Sequence, residues 1–294
     1  MRVDPTYVSN LVSALDLALG REQELGNELS SGVRVNSLSD DPAAAGRNVL
    51  LLNQIQRDDA FTQTSSLITG QLQVADSALG SVVAQLTQAI SLATSANNGT
   101  MNASDVQAIG IQIAGILSEV ESLANSNYQG QYIFAGGKTS SQPFATSTGA
   151  TTYYGDGNVN YLETPNGQKI QLNVPGDQIF LGTGSVFGVL NSLVANFSSG
   201  TVDAAQAQQD TQELMAALKY VSQQRVVIDS SMTQLTAASG AITTEKMNLM
   251  AAQTDLMQAD LATVAVQLSL AKTQETALGA VIARVGSGSL FDKL

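Results

Sequence analysis

The sequence contains no cysteine, no histidine and no tryptophan, and of its 294 residues only 13 are Lys or Arg. Each absence closes a class of function. Lack of cysteine excludes disulfides and thiolate chemistry, and lack of histidine removes the commonest general base together with the imidazole metal ligand. The few cations stand against 25 Asp and Glu, for a formal charge of −12, which has the wrong sign for nucleic acid or an anionic membrane surface. No run of about 18 apolar residues offers a membrane-spanning helix. The opening MRVDPTYVSN lacks the basic start and apolar core of a secretory signal, so any export is expected to follow another route.

What is present suffices for a folded protein. Apolar residues make up 44% of the chain, enough for a sizeable core, and the length allows two or three domains. Only 13% is charged, so Ser, Thr, Asn and Gln carry much of the solubility. Val8, Leu11, Leu15, Ala18, Glu22, Leu25 and Leu29 recur at spacings of three and four and define one helical seam. The stretch LSSGVRVNSLSDDPAAAG that follows reads as a joint between helices. Gly32 suits the left-handed end of the first helix, Asp41 the cap of the second, and Pro42 its first turn, where no amide hydrogen is needed. Beyond it Phe61, Ser65, Ile68, Leu72, Ala75, Leu79, Val82, Leu86, Ala89 and Ala93 carry one helix from Pro42 into the nineties. ANNGTMN breaks the rhythm. Ser104 with Gln107 reads as a capping box, and Ile109, Ile113, Ile116, Val120 and Leu123 stripe a third helix, predicted to form an antiparallel hairpin with the second.

From about Tyr132 to Gly184, Gly, Thr, Tyr and Asn dominate, and VNYLETPNGQKIQLNV brackets a Pro-Asn-Gly turn with alternating residues, a β-hairpin signature. Helical periodicity resumes near Ser185. From Asp203 a very long helical segment is expected to reach Val285, interrupted near Gly240, and its last part has the cleanest heptads: Met257, Leu261, Val264, Leu268, Ala271, Glu275, Leu278, Ile282 and Val285. The two end helices therefore match, each roughly 30 residues or about 45 Å long, each with one Glu in its seam, and they are predicted to pair. The carboxy-terminal helix carries a second stripe, Val266, Leu270, Ala277 and Val281, and a helix apolar on two faces calls for two partners. The predicted fold class is mainly α with a small β-rich insert, a long-helix bundle with paired N- and C-terminal coiled-coil helices. Its domains are placed at 1–35 with 255–294 for the coiled coil, 36–132 with 186–254 for the helical bundle including the joint, and 133–185 for the insert.

Catalytic and metal motifs are poorly supported by the residues. Asp156, Asn158 and Asn160 imitate the start of an EF-hand loop, but Tyr161 stands where Gly is needed and Gly167 where Glu is needed. Gly182, Gly184 and Gly188 are spaced wrongly for a dinucleotide fingerprint and read as turn glycines. The pair Asp40/Asp41 is accounted for by helix capping, and Asp58/Asp59 by a solvated face. Sequons occur at Asn98, Asn102 and Asn196, and TSSQPFATSTGATT reads as a flexible polar linker, with an O-glycosylated surface loop as the alternative.

LSSGVRVNSLSDDPAAAG resembles the amino-terminal signature of bacterial flagellins and their hook-filament junction relatives, in which a helix ending Leu-Ser-Ser-Gly precedes Arg, Ile or Val, Asn-Ser and paired acidic residues. DLMQADLATVAVQLSLAKTQETALGAVIARVGSGSLFDKL is similar to the carboxy-terminal helix of that family. YIFAGGKTSSQPF, the following YYGDG and the ending SLFDKL resemble its junction members more than flagellin. The resemblance covers both ends and the centre, although the short insert carries no outer-domain detail over. It implies an extracellular structural protein of the bacterial flagellum, without enzymatic activity or cofactor. Such a subunit passes unfolded through the flagellar type III export channel after binding an export chaperone. It then self-associates in a layer between another hook-associated protein and flagellin, with no nucleic acid and no membrane insertion. On this reading Val8, Leu11, Leu15, Leu25, Leu29, Leu261, Val264, Leu268, Leu278, Ile282 and Val285 are the assembly seam. Val266, Leu270 and Val281 are a second assembly face, and Gly32, Asp41 and Pro42 join an inner-tube helix to an outer helical domain. Flagellin itself, or a non-flagellar coiled-coil adhesin or secretion-tip protein, are the alternative readings.

Overall fold

The computed structural model describes residues 5–97, 101–147, 150–182 and 185–287. Asn98, Gly184 and the ending 289–294 lie outside these described residues. Among the described residues six α-helices carry most of the chain: α1 (Pro5–Ser31), α2 (Pro42–Ala96), α3 (Ala103–Ala124), α4 (Val186–Ser198), α5 (Ala204–Met257) and α6 (Leu261–Ser287). Between α3 and α4 lie six short strands, β1 (Asn127–Tyr128), β2 (Gln131–Tyr132), β3 (Phe144–Ser147), β4 (Ala150–Tyr153), β5 (Tyr161–Glu163) and β6 (Lys169–Gln171), and a π-helical turn at Asp177–Leu181. Among the described residues the strands pair only within three antiparallel hairpins, β1-β2, β3-β4 and β5-β6. The chain divides into two compact units, residues 57–244 and residues 1–56 with 245–294.

In the unit of residues 57–244 the α2 stripe is buried throughout, with Leu79, Val82, Leu86, Ala89 and Ala93 at zero exposure and only Ile68 half-buried. Ile113 and Val120 of α3, Leu190, Leu193 and Phe197 of α4, and Leu214, Val221 and Leu235 of α5 complete one continuous core with it. Period-3.6 patterning therefore located this core, as it should for helices burying one face. Asp58 is the exception. It is 5% exposed rather than solvated, because it stands three residues before Phe61 and seven before Ser65, on the buried stripe itself.

The cap of α3 also differs from the sequence reading. Asn102, with extended φ and ψ, accepts from Asp105 N at 2.9 Å, so the helix starts one residue before Ser104, which forms no capping box. At the other end of α3, the Asn125 side chain accepts from Phe144 N and donates to Phe144 O, each at 2.9 Å, mimicking a strand partner for β3. The β5-β6 turn is Thr164-Pro165-Asn166-Gly167: Gly167 takes φ +81 and its N–H donates to Thr164 O at 2.8 Å.

The hairpins enter the core through aromatic rings. The ring of Phe180 stands 5.6 Å from Phe134, 5.3 Å from Phe144 and 5.6 Å from Phe187 between centroids, and Tyr153 lies 5.0 Å from Phe144. The Tyr153 hydroxyl is shared between the carbonyls of Phe134 (3.0 Å) and Asp156 (2.9 Å). Burial, and then the nearby Asp177 carboxylate, push its pKa up to about 12. Gly176 makes room for this cluster: a Cβ there would stand 2.7 Å from the Phe144 ring and 2.8 Å from Phe134 O. Gly188 is not a turn glycine. It lies in the first turn of α4, where its N–H donates to the capping Ser185 hydroxyl at 3.0 Å.

The second correction to the helix pattern lies in the other unit. Gly240 sits within α5, and the interruption comes instead at 258–260, between α5 and α6. Nothing in local propensity demanded a break there. Its cause is a tertiary contact, described next.

Candidate functional site

α1 and α6 pack against each other, and the chain enters and leaves this pair through one joint. Gly32, at φ +70, ends α1, its N–H returning to Glu28 O at 2.8 Å. Val33 then forms an antiparallel bridge with Gln258. On either side of it Arg34 N donates to Met257 O at 2.7 Å, and Ala259 N donates to Gly32 O at 2.9 Å. These bonds take 258–260 out of helical geometry. Asp260 restarts the helix, its Oδ1 accepting from Ala262 N (3.1 Å) and Thr263 N (3.3 Å) and its Oδ2 from the Thr263 hydroxyl (2.7 Å).

Arg34 ties the joint further. Its guanidinium donates to Asp41 Oδ2 at 3.2 and 3.3 Å and to Leu256 O at 3.3 Å. Asp41 also caps α2, Oδ1 accepting from Ala44 N at 2.9 Å, while Pro42 opens that helix. Asp40 is not a second cap. Its carboxylate folds over the loop and accepts from Asn36 N, Ser37 N and the Ser37 hydroxyl. Three carboxyl groups are consequently held below their ordinary pKa. Asp40 is held chiefly by the Ser37 hydroxyl, Asp41 by the Ala44 N–H and then by Arg34, and Asp260 by the Thr263 hydroxyl.

The seam residues are unequally placed. Leu25 and Val264 are 5% and 6% exposed and form a small buried cluster with Ala259 and Ala271, joined by Leu268. Leu11, Leu15, Leu278, Ile282 and Val285 are half-buried, and Val8, Leu29 and Leu261 are exposed. Glu22 meets Lys272 at 3.9 Å with the lysine in solvent, a pair of little energetic weight. Val266, Leu270 and Val281 are 61%, 58% and 41% exposed. On α1 the sequence reading overlooked Val12, Leu17 and Leu19, all exposed. They fall outside the strict seam, and a search for a second period on α1 would have found them. Leu17 and Ala18 face Ala277, Leu278 and Val281 across a largely apolar groove of about 530 Å³.

The groove between the end of α1 and the joint, about 680 Å³, is lined by Glu24, Asn27, Glu28, Arg34, Ser37 and Asp40, whose carboxylates and amides offer hydrogen bonds. Among the described residues no group of three or more His, Cys, Asp or Glu side chains is placed to hold a metal ion, and no helix is long and apolar enough to cross a membrane. Asp156 is a turn residue, its Oδ1 accepting from Gly137 N (2.6 Å) and Asn158 N (3.2 Å). Two sequon asparagines have structural partners: Asn102 caps α3, and Asn196 exchanges hydrogen bonds with the Asp203 backbone.

The family model of the bacterial flagellin N-terminal helical region matches residues 10–139, which run through α1, the joint, α2, α3 and the first hairpin. Flagellar hook-associated protein 3 of Salmonella typhimurium is 30% identical over 158 residues, 53% of this chain and 49% of that protein. The chain thus spans about half the length of the hook-associated relatives it matches. Flagellin of Listeria monocytogenes is 25% identical over 242 residues, 80% of this chain and 77% of that protein. Among solved structures, hook-associated protein 3 of Legionella pneumophila superposes with a TM-score of 0.64 at 14% identity, covering 70% of this chain and 98% of that one. FlgL of Bacillus cereus superposes at 0.54 and 24% identity, covering 72% and 100%. Over residues 10–139 this chain is thus similar to the bacterial flagellin N-terminal helical region, and its fold is that of the flagellar hook-associated proteins.

Proposed function

We propose that this chain is a structural subunit of the bacterial flagellum that forms the junction between hook and filament, not an enzyme. The observation that carries the proposal is the apolar second face of α6, Val266, Leu270 and Val281 in solvent beside a seam with few fully buried residues. A helix pair so thinly covered gains from neighbours that bury the rest. The similarity to hook-associated protein 3 of Salmonella typhimurium and Escherichia coli supports the junction assignment. On this reading the seam and the second face are the assembly surface and the joint connects inner to outer parts. The partners are another hook-associated protein on one side, flagellin on the other, and further copies of this chain in the same layer. Export through the flagellar type III channel after binding an export chaperone, and a final extracellular location, complete the proposal. Deletion of the gene followed by microscopy tests it. Loss of the filament with the hook retained and flagellin released into the medium is the expected result, and a normal filament overturns it.

One observation favours a second reading, flagellin itself: the Listeria monocytogenes flagellin aligns with four-fifths of the chain, more than the hook-associated relatives do. Self-association separates the two. A filament subunit grows long polymers from seeds of its own kind, whereas a junction subunit stops after a layer.

A further inference from the structure

We infer that Asn166, at the tip of the β5-β6 hairpin, is a site of spontaneous covalent modification, where the backbone nitrogen of Gly167 closes on the Asn166 side chain and converts it to aspartate or isoaspartate. That side chain is exposed and makes no hydrogen bond to any described residue. The residue after it is glycine, so no Cβ crowds the attacking nitrogen, and the space around Gly167 is open, a Cβ there meeting nothing within 4 Å. Other asparagines of the region are shielded. Asn125 and Asn173 are tied through their side chains, the first to Phe144 and the second to the backbone of Asn158 and Asn160. Val159, Tyr161 and Val174 follow Asn158, Asn160 and Asn173 with bulky side chains. The other Asn-Gly pair of the sequence, at Asn98, lies outside the described residues.

The reaction needs only water and solvent base. The Gly167 N–H gives its proton to base and the nitrogen forms a bond to Asn166 Cγ. The Cγ–Nδ2 bond then breaks and ammonia leaves, taking a proton from solvent, which closes a five-membered succinimide. Water opens that ring at either carbonyl and restores an N–H on Gly167. The balance is one side-chain amide and one water converted to one carboxylate and one ammonium ion, so each event adds a negative charge to the hairpin. Opening at Cγ gives aspartate and leaves the backbone path unchanged. Opening at the Asn166 backbone carbonyl gives isoaspartate, which routes the main chain through the side-chain methylene and lengthens the turn by one atom.

The turn itself sets the pace. In its closed form the Gly167 N–H donates to Thr164 O at 2.8 Å, Thr164 N to Gln168 O at 2.8 Å and Gln168 N to the Thr164 hydroxyl at 3.0 Å, so the attacking nitrogen is engaged until the tip opens. Opening stays local, because buried Ile170 and half-buried Leu162 anchor the strands behind the tip while β5 and β6 pair with no other described strand. Isoaspartate would then keep the tip from closing in its old register and would release the 3.4 Å contact of Gln168 Nε2 with Gln234 Oε1 on α5. Asp156-Gly157 has the same spacing and the opposite environment. The Gly137 N–H, and then the Asn158 N–H, hold its carboxyl below the usual pKa, and an ionised carboxylate is a poor target for a nitrogen nucleophile.

Incubation of the full-length chain in mildly alkaline buffer, followed by proteolysis and mass spectrometry, tests the site, and no readout depends on flagellar assembly. Conversion at Asn166 should run at least about tenfold faster than at Asn125, Asn158, Asn160 or Asn173, since those side chains lack an equally accessible neighbouring nitrogen in a segment that opens locally. It should accelerate as pH rises, because base must take the Gly167 proton, and it should be slower than in the same chain unfolded in urea. Thr164→Val removes the hydroxyl that accepts from Gln168 N and should speed conversion about two- to tenfold, the weight of one hydrogen bond at the tip, in a protein whose circular dichroism shows that it folds. A rate at Asn166 no greater than at those four asparagines overturns the site. A rate in the folded chain equal to that in urea, or one unmoved by Thr164→Val, overturns the control by the turn.

Discussion

Two valines two residues apart on α6 make the most discriminating test of the assembly reading, because the same substitution should have opposite consequences at each. Val264 is 6% exposed and packs with Leu25, Ala271 and Leu268, whereas Val266 is 61% exposed. Val264→Asp forfeits the burial of a valine, about 1.5 to 3 kcal/mol. It also puts a carboxylate among aliphatic side chains, which takes the loss beyond about 3 kcal/mol. That is a fall of more than about a hundredfold in the ratio of paired to unpaired helices. Val266→Asp changes a side chain already in water and should alter the monomer by no more than about 0.5 kcal/mol. If a neighbouring subunit covers the second face, the order of harm changes. Val266→Asp must then lose the valine's burial and desolvate a charge at every contact, so the protein remains folded but cannot be incorporated. Hydrogen exchange over 261–287 reads the first half of the comparison, and rescue of filament formation in a deletion strain reads the second. Equal exchange in both variants would refute the assignment of faces. Normal filaments with Val266→Asp would refute assembly through this stripe.

At the joint, Gly32→Val should be the most damaging of three substitutions, because a β-branched residue at φ +70 is strained by at least about 1 to 2 kcal/mol. Asp41→Ala, which removes a cap and an Arg34 partner, should follow, and Pro42→Ala should be mild; exchange rates over 32–45 give the ranking, and Pro42→Ala as the worst would contradict the layout. Acid should loosen the joint first. Asp40, Asp41 and Asp260 have depressed folded pKa values, so their contribution is complete above the unfolded value of about 3.9 and is lost as pH falls through the lower folded values. Faster exchange of 32–41 and 258–263 setting in only below about pH 4 is expected, and a transition near neutrality would count against these carboxylates. In the aromatic cluster, Gly176→Ala should lower the melting of residues 57–244 by about 1 to 3 kcal/mol through contact with Phe144 and Phe134. Gly240→Ala, where a Cβ meets nothing within 4 Å in mid-helix, should instead stabilise by up to about 1 kcal/mol, and a shared sign would be inconsistent with both arguments.

Much of the architecture was readable from local chemistry. The stripe from Phe61 to Ala93 specified both the length of α2 and the face it buries, because a helix repeats its environment every 3.6 residues whatever lies against it. Thr164-Pro165-Asn166-Gly167 specified the β5-β6 hairpin, because only glycine takes that turn's positive φ without strain. The end of α1 at Gly32 and the start of α2 at Pro42 were written in the same way, by residues whose own backbone preferences leave few options. The two end helices advertised their pairing through matching seams.

The rest depended on parts of the chain far apart in sequence. Periodicity marks a face as apolar but not whether anything covers it, so Val264 and Val266 look alike in sequence and differ tenfold in exposure. Asp58 is acidic enough to suggest solvent, yet its place on the α2 stripe puts it inside. The break between α5 and α6 is the clearest case. Asp260 could have capped a helix or sat within one, and Gly240 was locally the weaker point, but Gly240 stayed helical, with nothing within 4 Å of where a Cβ would stand. At the break the Ala259 amide is claimed by the Gly32 carbonyl and the Met257 carbonyl by the Arg34 amide, on either side of the Val33-Gln258 bridge. A helix ends where its hydrogen-bonding groups find other partners, and those partners, more than two hundred residues away, exist only once the chain has folded.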